Sequence, residues 1–188
     1  MTQRPKPVDE EIRLDPMRYI VSKTDASGII EYGNDYFVEI SGYKEHELIN
    51  RPHNIIRHPD MPRTIFKLMW DRLKNNQQIF AFVKNLAKDG RYYWVITEFT
   101  AKVNPLTNKP VRYTAYRKAA SRKALPEIEK LYATLRKIEQ QQGMEAAEKY
   151  LEGFLEERGM TYDEYIDSLI SNKGVFRMFF KMMKKIFS

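Results

Sequence analysis

The stretch Pro52–Pro62, PHNIIRHPDMP, separates two readable halves of the chain and combines stiffness with many polar groups. Its three prolines exclude a continuous helix, because proline lacks the amide N–H and pushes the preceding residue toward extended geometry. It also holds two of the three histidines of the chain, with an arginine, an aspartate and an asparagine. A stiff loop of this composition fits the wall of a ligand pocket, since rigidity lowers the ordering cost of binding. A capped turn whose polar groups serve their own backbone would have the same composition.

The residues ahead of this loop predict two strands and two short helices. RYIVSKTD and GIIEYGN are β-rich and are separated by a glycine-containing turn, which indicates a hairpin. NDYFVEISGY predicts a short helix that Asn34 caps and Gly42 ends, and KEHELI predicts a further helical turn. We expect residues 1–15 to form a loose polar lead with a helical turn around residues 8–14.

The residues after the loop predict one longer helix and three strands. RTIFKLMWDRLKNN places apolar residues at helical intervals, and Asp60 lies where the N-cap of this helix belongs. QIFAFVKNL, RYYWVITEFTAKV and VRYTAYRKA then predict strands, with Asp89-Gly90 as a hairpin turn between the first two. Residues 16–120 are therefore predicted to form an α+β domain, a five-stranded antiparallel sheet with short helices on one face. Such a half-covered sheet can hold a ligand between itself and the helices.

The residues that follow predict a small helical segment over 121–172. Leu125–Gln142 has the pattern of a charged amphipathic helix, and Gly143 separates it from a second helical pattern over Met144–Glu157. A third helix is expected to start at Thr161, because a glutamate three residues later completes a capping box.

Residues 173–188 predict a basic amphipathic helix. Its apolar side chains fill an arc of roughly 200° and its cations occupy the remainder. Five cations of this tail account for most of the formal net charge of +7, so the folded body is nearly neutral. A nucleic-acid binder would carry a basic face on its folded domain, so we expect no nucleic-acid partner. The helix fits an anionic membrane surface or a groove on a partner, while packing on its own domain or in a homodimer remains open.

The composition excludes several functional classes. Without cysteine, the chain can form no disulfide, thiolate metal site, cysteine nucleophile or flavin–cysteinyl adduct. It has no Walker loop, no H-E-x-x-H motif and no Ser/His/Asp order, so we do not expect an enzyme. The charged N-terminus lacks the apolar core of a signal peptide, and no apolar run approaches the ~18 residues of a membrane span. These features predict a cytoplasmic chain, peripheral at the inner membrane if the tail binds lipid.

The order of these elements resembles a PAS domain. More narrowly, YGNDYFVEISGY, the loop Pro52–Pro62, and the segments FKLMWDRLK, VKN and YYWV resemble the PAS domain of the Aer-type aerotaxis receptors, over about Arg18 to Lys118. That family binds FAD non-covalently and senses redox state, so the resemblance implies the same here. Because we see no membrane anchor, HAMP region or signalling domain, the chain is similar to the stand-alone PAS half of split energy-taxis receptors of the CetA/CetB type. The expected partner is a membrane-bound chemoreceptor.

The resemblance and the chemistry of the residues indicate eight candidate cofactor-binding residues, Asn34, His53, Arg57, His58, Asp60, Trp70, Phe82 and Asn85. A cation such as Arg57 or His58 near the N1–C2=O edge of a flavin would favour the reduced form. The amide of Asn85 can donate to one ring atom and accept from another. Trp70 and Phe82 would cover the faces of the ring, although packing of its helix onto the sheet explains Trp70 equally well.

Other interpretations of the same residues remain. The chain has Ile79-Phe80-Ala81 where the aerotaxis receptors carry Trp-x-Gly, so a tryptophan that could stack on the cofactor is missing. A haem b gas sensor is one alternative, with His53 or His58 as the axial ligand. A ligand-free PAS domain that acts as a dimerisation or docking module is another.

Overall fold

The computed structural model describes residues 4–170 and 172–187. Residues 1–3 of the predicted lead, Ser171 of the predicted helical segment and Ser188 at the end of the predicted tail lie outside these described residues. Within the described ranges, none of the helices is both long enough and apolar enough to cross a membrane.

One antiparallel sheet of five strands confirms the predicted α+β class. The spatial order of its strands is β2-β1-β5-β4-β3. The bounds of the strands are β1 Ile20–Asp25, β2 Ile30–Gly33, β3 Ile79–Leu86, β4 Tyr92–Val103 and β5 Pro110–Ala119. The first and last of these strands pair over six residue pairs, although they are distant in the sequence. The β1–β2 hairpin and the β3–β4–β5 meander are therefore joined into a single sheet at its centre.

The described chain divides into two compact units. The first consists of Met1–Pro59 with Asp71–Ala119 and contains the whole sheet. The second consists of Asp60–Trp70 with Ala120–Ser188. The chain thus leaves the first unit within the proline loop, after Pro59, contributes eleven residues to the second unit, and returns.

Short helices follow β2 in the first unit, as predicted. They are α1 Asp35–Ser41, α2 Glu45–Leu48 and the 3₁₀ helix His53–Ile56. The Asn34 side chain caps α1 by accepting a hydrogen bond from the N–H of Phe37, and Gly42 ends α1 in the left-handed conformation with φ 71°. The longer helix α3, Arg63–Lys74, comes after the proline loop and ends in the first unit.

The first part of the proline loop is tied to the sheet by backbone contacts. Pro52 forms an isolated antiparallel bridge with Ile29, and Arg57 forms another with Asn85 on β3. The N–H of His53 also donates to the carbonyl of Gly28 at 2.9 Å. Because these bonds hold both ends of the 3₁₀ helix, the loop is rigid where it carries His53.

The N-terminal lead differs from the prediction. Residues 8–14 form no helical turn and instead run extended beside the β3–β4 hairpin, where Glu11 makes a parallel bridge with Tyr92. The N–H of Val8 donates to the carbonyl of Gly90 at 2.9 Å, and the N–H of Ile12 donates to that of Tyr92 at 2.7 Å. The prediction was wrong because a free hairpin edge offers backbone partners that the local sequence does not show.

Four helices make up the C-terminal part of the second unit, and their bounds are α4 Leu125–Gln142, α5 Met144–Glu156, α6 Tyr162–Leu169 and α7 Lys173–Phe187. The predicted break between the first two is confirmed at Gly143, which has φ 89°. The predicted capping box is confirmed as well. Thr161 donates its N–H to a carboxylate oxygen of Glu164 at 2.7 Å and accepts from the Glu164 N–H at 3.3 Å.

Replacement of Gly90 by alanine should loosen the N-terminal lead. Gly90 has φ 92°, and a Cβ there would collide with the carbonyl oxygen of Lys6. We expect Gly90→Ala to lower the free energy of unfolding by roughly 2–3 kcal/mol, measured by urea denaturation.

Gly159→Ala is the matched control for this variant. Its φ of 60° is also positive, but a Cβ there has no atom within 4 Å. It should cost only about 1 kcal/mol for the left-handed backbone. Equal losses in the two variants would show that the lead does not pack against Gly90.

Candidate functional site

One face of the sheet carries several buried polar side chains. Residues directly opposite one another in antiparallel strands share a face, as do alternate residues along a strand. The pairing of Asn85 with Tyr93 and of Thr97 with Arg117 therefore brings four polar side chains together, and the β1–β5 register adds Ser22. Each of the five is at most 3% exposed. These five residues are referred to as the polar face.

Arg117 is the charged centre of the polar face. Its Nη1 donates to Ser22 Oγ at 2.9 Å and to the Ala115 carbonyl at 3.4 Å, while its Nη2 lies 3.0 Å from His53 Nε2. None of these partners among the described residues is a carboxylate. Burial lowers the pKa of Arg117 to about 10, so the guanidinium stays charged at neutral pH. Since a buried charge is costly without a counter-charge, this position suits an anionic or electron-rich ligand.

His53 reaches the polar face from the 3₁₀ helix. Its Nε2 lies 2.8 Å from Ser22 Oγ and 3.0 Å from Arg117 Nη2, and its ring stacks on Phe37 of α1 at a centroid distance of 5.9 Å. A guanidinium can only donate, so Nε2 must be the unprotonated acceptor and the imidazole is neutral. Burial, and then the charge of Arg117, lowers the pKa of His53 to about 3, in agreement with this geometry.

Three members of the polar face present polar atoms that other described residues do not fully satisfy. Oγ1 of Thr97 has no hydrogen-bond partner among the described residues, and the Asn85 amide and the Tyr93 hydroxyl have only one another. Burial raises the pKa of Tyr93, so its hydroxyl remains a donor. Each buried polar group that lacks a partner costs ~1–3 kcal/mol, and such groups are rare in folded proteins. Incompletely satisfied polar groups on one face therefore indicate a polar ligand at this face.

The structure brings some of the predicted site residues to the polar face. Asn85 belongs to it, His53 contacts it, and Arg57 is joined to Asn85 by a backbone bridge. His58, one residue further along, is 3% exposed, and its ring lies edge-on to Tyr92 at 6.0 Å. The loop that carries His53, Arg57 and His58 therefore lies beside the end of β3 that holds Asn85.

Asn34 has a structural role that uses both polar atoms of its side chain. Its Oδ1 accepts from the N–H groups of Val21 at 3.0 Å and Phe37 at 3.2 Å, and its Nδ2 donates to the carbonyl of Tyr19 at 3.0 Å. It ties β1 to the start of α1. A direct contact between Asn34 and a cofactor remains a prediction.

Phe82 lies on the other face of the sheet from Asn85. It is paired with Ile96, whereas Asn85 is paired with Tyr93, and positions three apart along a strand point to opposite faces. Ile79 and Ala81, which replace the family Trp-x-Gly, alternate with Asn85 and share its face. The register therefore gives no support to Phe82 as a cover for a ligand on the polar face.

Asp60 and Trp70 belong to the second unit. Oδ1 of Asp60 accepts a hydrogen bond from Nη1 of Arg136 on α4 at 2.7 Å, and Trp70 is half-buried on α3. The sequence predicted Asp60 as the N-cap of α3. The helix begins at Arg63, so Asp60 lies too far ahead of it to occupy that position. Its first turn is capped instead by Glu139, which accepts from both the N–H and Oγ1 of Thr64 at 2.8 and 2.7 Å. Cofactor contacts of Asp60 and Trp70 remain predictions.

Sequence reasoning missed four members of the polar face, namely Ser22, Tyr93, Thr97 and Arg117. The available signal was an arginine in the alternating set Tyr113, Ala115, Arg117, whose other members are apolar or aromatic. That pattern places a cation on a mostly buried face. It becomes informative only when the β1–β5 and β4–β5 registers are known.

Comparison with known proteins gives a match to one family model and to curated relatives. Residues 30–117 match a family model described as PAS fold. The chain is 36% identical to the aerotaxis receptor of Escherichia coli K12 over 135 residues, which are 72% of this chain and 25% of that receptor. It is 33% identical to the nitrogen fixation regulatory protein of Klebsiella pneumoniae over 85 residues, 45% of this chain and 17% of that protein. The chain thus spans about a quarter of the receptor's length, and less of the regulator's.

Solved structures show the same arrangement of strands and helices. The dark structure of the blue-light photoreceptor Aureochrome1 LOV matches with a TM-score of 0.50 and 19% identity, covering 64% of this chain and 86% of that one. A light-oxygen-voltage domain studied with a flavin analogue also matches with a TM-score of 0.50 and 19% identity, over 60% and 85% of the two chains. At this identity, the likeness shows a shared fold only.

The neutral state of His53 predicts an acid-sensitive fold. Below its ordinary pKa of 6.5 the unfolded chain binds a proton at His53, but the folded chain does not until about pH 3, so stability falls as the pH drops through this window. We expect urea denaturation to show up to about 2 kcal/mol of loss between about pH 7.5 and pH 5 from this residue.

His53→Gln should remove most of that loss, because the amide keeps an acceptor for Arg117 and does not titrate. His46→Gln is the control, since His46 is exposed on α2. A pH dependence that is unchanged in His53→Gln would contradict the assignment.

Proposed function

Residues 30–117 form a PAS domain, and from this premise we propose that the chain is a non-enzymatic sensor that binds FAD non-covalently. It responds to the redox state of the flavin and passes a change of conformation to a membrane-bound chemoreceptor. The buried guanidinium of Arg117, which has no carboxylate among its hydrogen-bond partners, is the observation that carries this proposal. Similarity to the aerotaxis receptor supports the class of sensor.

The donor set of the polar face fits a flavin. Asn85 offers an amide N–H, Tyr93 and Thr97 offer hydroxyls, and Arg117 offers a fixed cation, all on one face and all buried. An isoalloxazine edge alternates carbonyl and ring-nitrogen acceptors with the N3–H donor, so it needs these donors together with an acceptor such as Oδ1 of Asn85. When bound, a flavin supplies a reversible electron acceptor whose reduced form carries more negative charge.

The cation on the polar face would set the redox response. Arg117 is held in place by Ser22 and His53, so it needs no rearrangement to meet a developing negative charge. Because His53 is neutral, it adds no competing charge of its own. Arg57, named from the sequence, lies in the loop joined to Asn85 and would contribute at that end. The ring of His58 lies against Tyr92, which points to the other face of the sheet, so a contact of His58 with the flavin remains only a prediction. Trp70 as a cover for the ring remains part of the proposal.

Haem b is less well supported at His53. An axial ligand must offer an unprotonated nitrogen to the iron. Nε2 of His53 is already the acceptor for Arg117 and lies against Ser22. Binding of iron there would cost both contacts and place a second cation beside the guanidinium.

The conformational change would leave the first unit through residues 60–70. This segment is grouped with the C-terminal helices, while the residues on either side of it belong to the first unit. Within the second unit, two side chains on successive turns of α4 hold the segment, with Arg136 bound to Asp60 and Glu139 bound to Thr64. We call these four residues the latch. The Asp60–Arg136 pair is half-exposed, so it contributes only ~0.2–1 kcal/mol and a modest change in the loop could break it.

The first test is the absorbance spectrum of the purified chain. A flavoprotein should absorb at about 450 nm, lose that band on reduction, and release FAD on denaturation. A Soret band would replace this proposal with the haem alternative. A colourless protein after gentle purification would leave only a docking module.

Arg117→Met should make the potential of the bound flavin more negative. The variant keeps the length of the side chain but removes the charge that favours the reduced form. The loss of one charge-assisted contact, ~1.5–3 kcal/mol, corresponds to roughly 30–60 mV for a two-electron couple, measured by redox titration.

Arg112→Gln is the control for Arg117→Met, because it removes an arginine of the same strand that is 42% exposed and paired with Glu31. If Arg117→Met retains no flavin, Arg117→Lys keeps the charge and should restore binding. An unchanged potential in Arg117→Met would remove Arg117 from the site.

Breaking the latch should uncouple α4 from the flavin. In the wild-type holoprotein we expect hydrogen exchange of α4 amides to differ between the oxidised and reduced states. Arg136→Gln should shrink that difference several-fold while the flavin spectrum stays unchanged. Lys149→Gln, which breaks the exposed Lys149–Glu145 pair on α5, should leave it intact. No redox-dependent difference in the wild type would exclude this route.

A further inference from the structure

Helix α7 presents two apolar surfaces, only one of which is covered. Phe180 and Met183 are buried, and Phe176, Phe179 and Phe187 are half-buried. At 3.6 residues per turn these five side chains lie within an arc of about 100°. The rings of Phe176 and Phe179 pack on Phe180 at centroid distances of 4.7 and 5.2 Å. This arc is the buried side of the helix.

The second apolar surface lies beside the first and faces solvent. Val175, Met178, Met182 and Ile186 are 51%, 67%, 50% and 57% exposed. They follow one another along the helix in a line of about 17 Å, within an arc of about 80°. Single exposed apolar residues are ordinary, but a continuous line of them marks a binding surface. We call these four residues the exposed stripe.

Cations border the exposed stripe on the side away from the buried arc. Lys181 and Lys185 are exposed there, while Arg177 is paired with Asp167 of α6 at 2.5 Å. No acidic residue occurs between Lys173 and Phe187. The surface that a partner would meet is therefore apolar along one line and positive along the next.

We propose that the exposed stripe of α7 binds an anionic lipid bilayer. The helix would lie flat, with the stripe at the acyl boundary and its lysines at the level of the lipid phosphates, as interfacial amphipathic helices do. A second copy of this chain fits less well, because two such helices would bring their lysines together. This inference goes beyond the proposed function, since it requires no cofactor.

Flotation of the full-length chain with lipid vesicles tests the proposal. Binding is expected to phosphatidylcholine vesicles with about 30% phosphatidylglycerol, and not to pure phosphatidylcholine vesicles. Met178→Glu with Met182→Glu should reduce the bound fraction at least tenfold, because charges would enter the acyl boundary. Lys181→Gln with Lys185→Gln should reduce the bound fraction about fivefold for each lysine removed. Added salt should reduce the bound fraction of the wild type as well.

Matched controls separate the stripe from general charge and hydrophobicity. Met17→Glu with Leu106→Glu changes two apolar residues that are 84% and 93% exposed outside α7. Lys130→Gln with Lys137→Gln removes two exposed lysines of α4. Both control variants should bind vesicles like the wild type, and circular dichroism should show all variants folded.

Two outcomes would overturn the proposal. Equal binding to neutral and anionic vesicles, or none to either, would exclude an anionic bilayer as the occupant. A dimer in solution that the Met178→Glu, Met182→Glu variant dissociates, without vesicle binding by the wild type, would assign the stripe to a second copy. Either result leaves the flavin proposal unaffected, because the spectrum of the purified chain tests that separately.

Discussion

The burial of one guanidinium group explains much of the first unit. Arg117 keeps its charge inside the sheet because Ser22 Oγ, His53 Nε2 and a backbone carbonyl accept its hydrogen bonds. These hydrogen bonds constrain the residues that accept them. His53 must stay neutral to accept, so its pKa falls to about 3, and its position requires the 3₁₀ helix to be fixed against the sheet. No acceptor in this set is negative, so an anionic or electron-rich ligand beside the guanidinium would be favoured.

The proline loop serves two parts of the molecule within a few residues. Its first half carries His53 and the bridge to Asn85, and so belongs to the wall of the polar face. Its second half carries Asp60, whose carboxylate is held by Arg136 of α4. Pro59 restricts the backbone between these halves, so a displacement at one end would be poorly absorbed along the way. On the proposed function, this loop would pass a change at the polar face on to α4.

Charge and function are separated along the chain. The body is nearly neutral, and the buried guanidinium of Arg117 lies on the polar face. The tail cations are concentrated on α7, beside the exposed stripe. On the lipid proposal, a nearly neutral body would not compete with α7 for an anionic surface, because its own net charge is small.

The sequence by itself determined the features that depend on near neighbours. Asn34 and Gly42 bound α1, and Thr161 with Glu164 starts α6, since each motif acts within four residues. Tertiary structure decided which residues meet. Arg117 and Ser22 are 95 residues apart, and Glu139 caps a helix that starts 76 residues before it. Phe82 and Asn85 are three residues apart in one strand yet lie on opposite faces. Strand register and helix docking arise from long-range packing, so no local pattern could specify them.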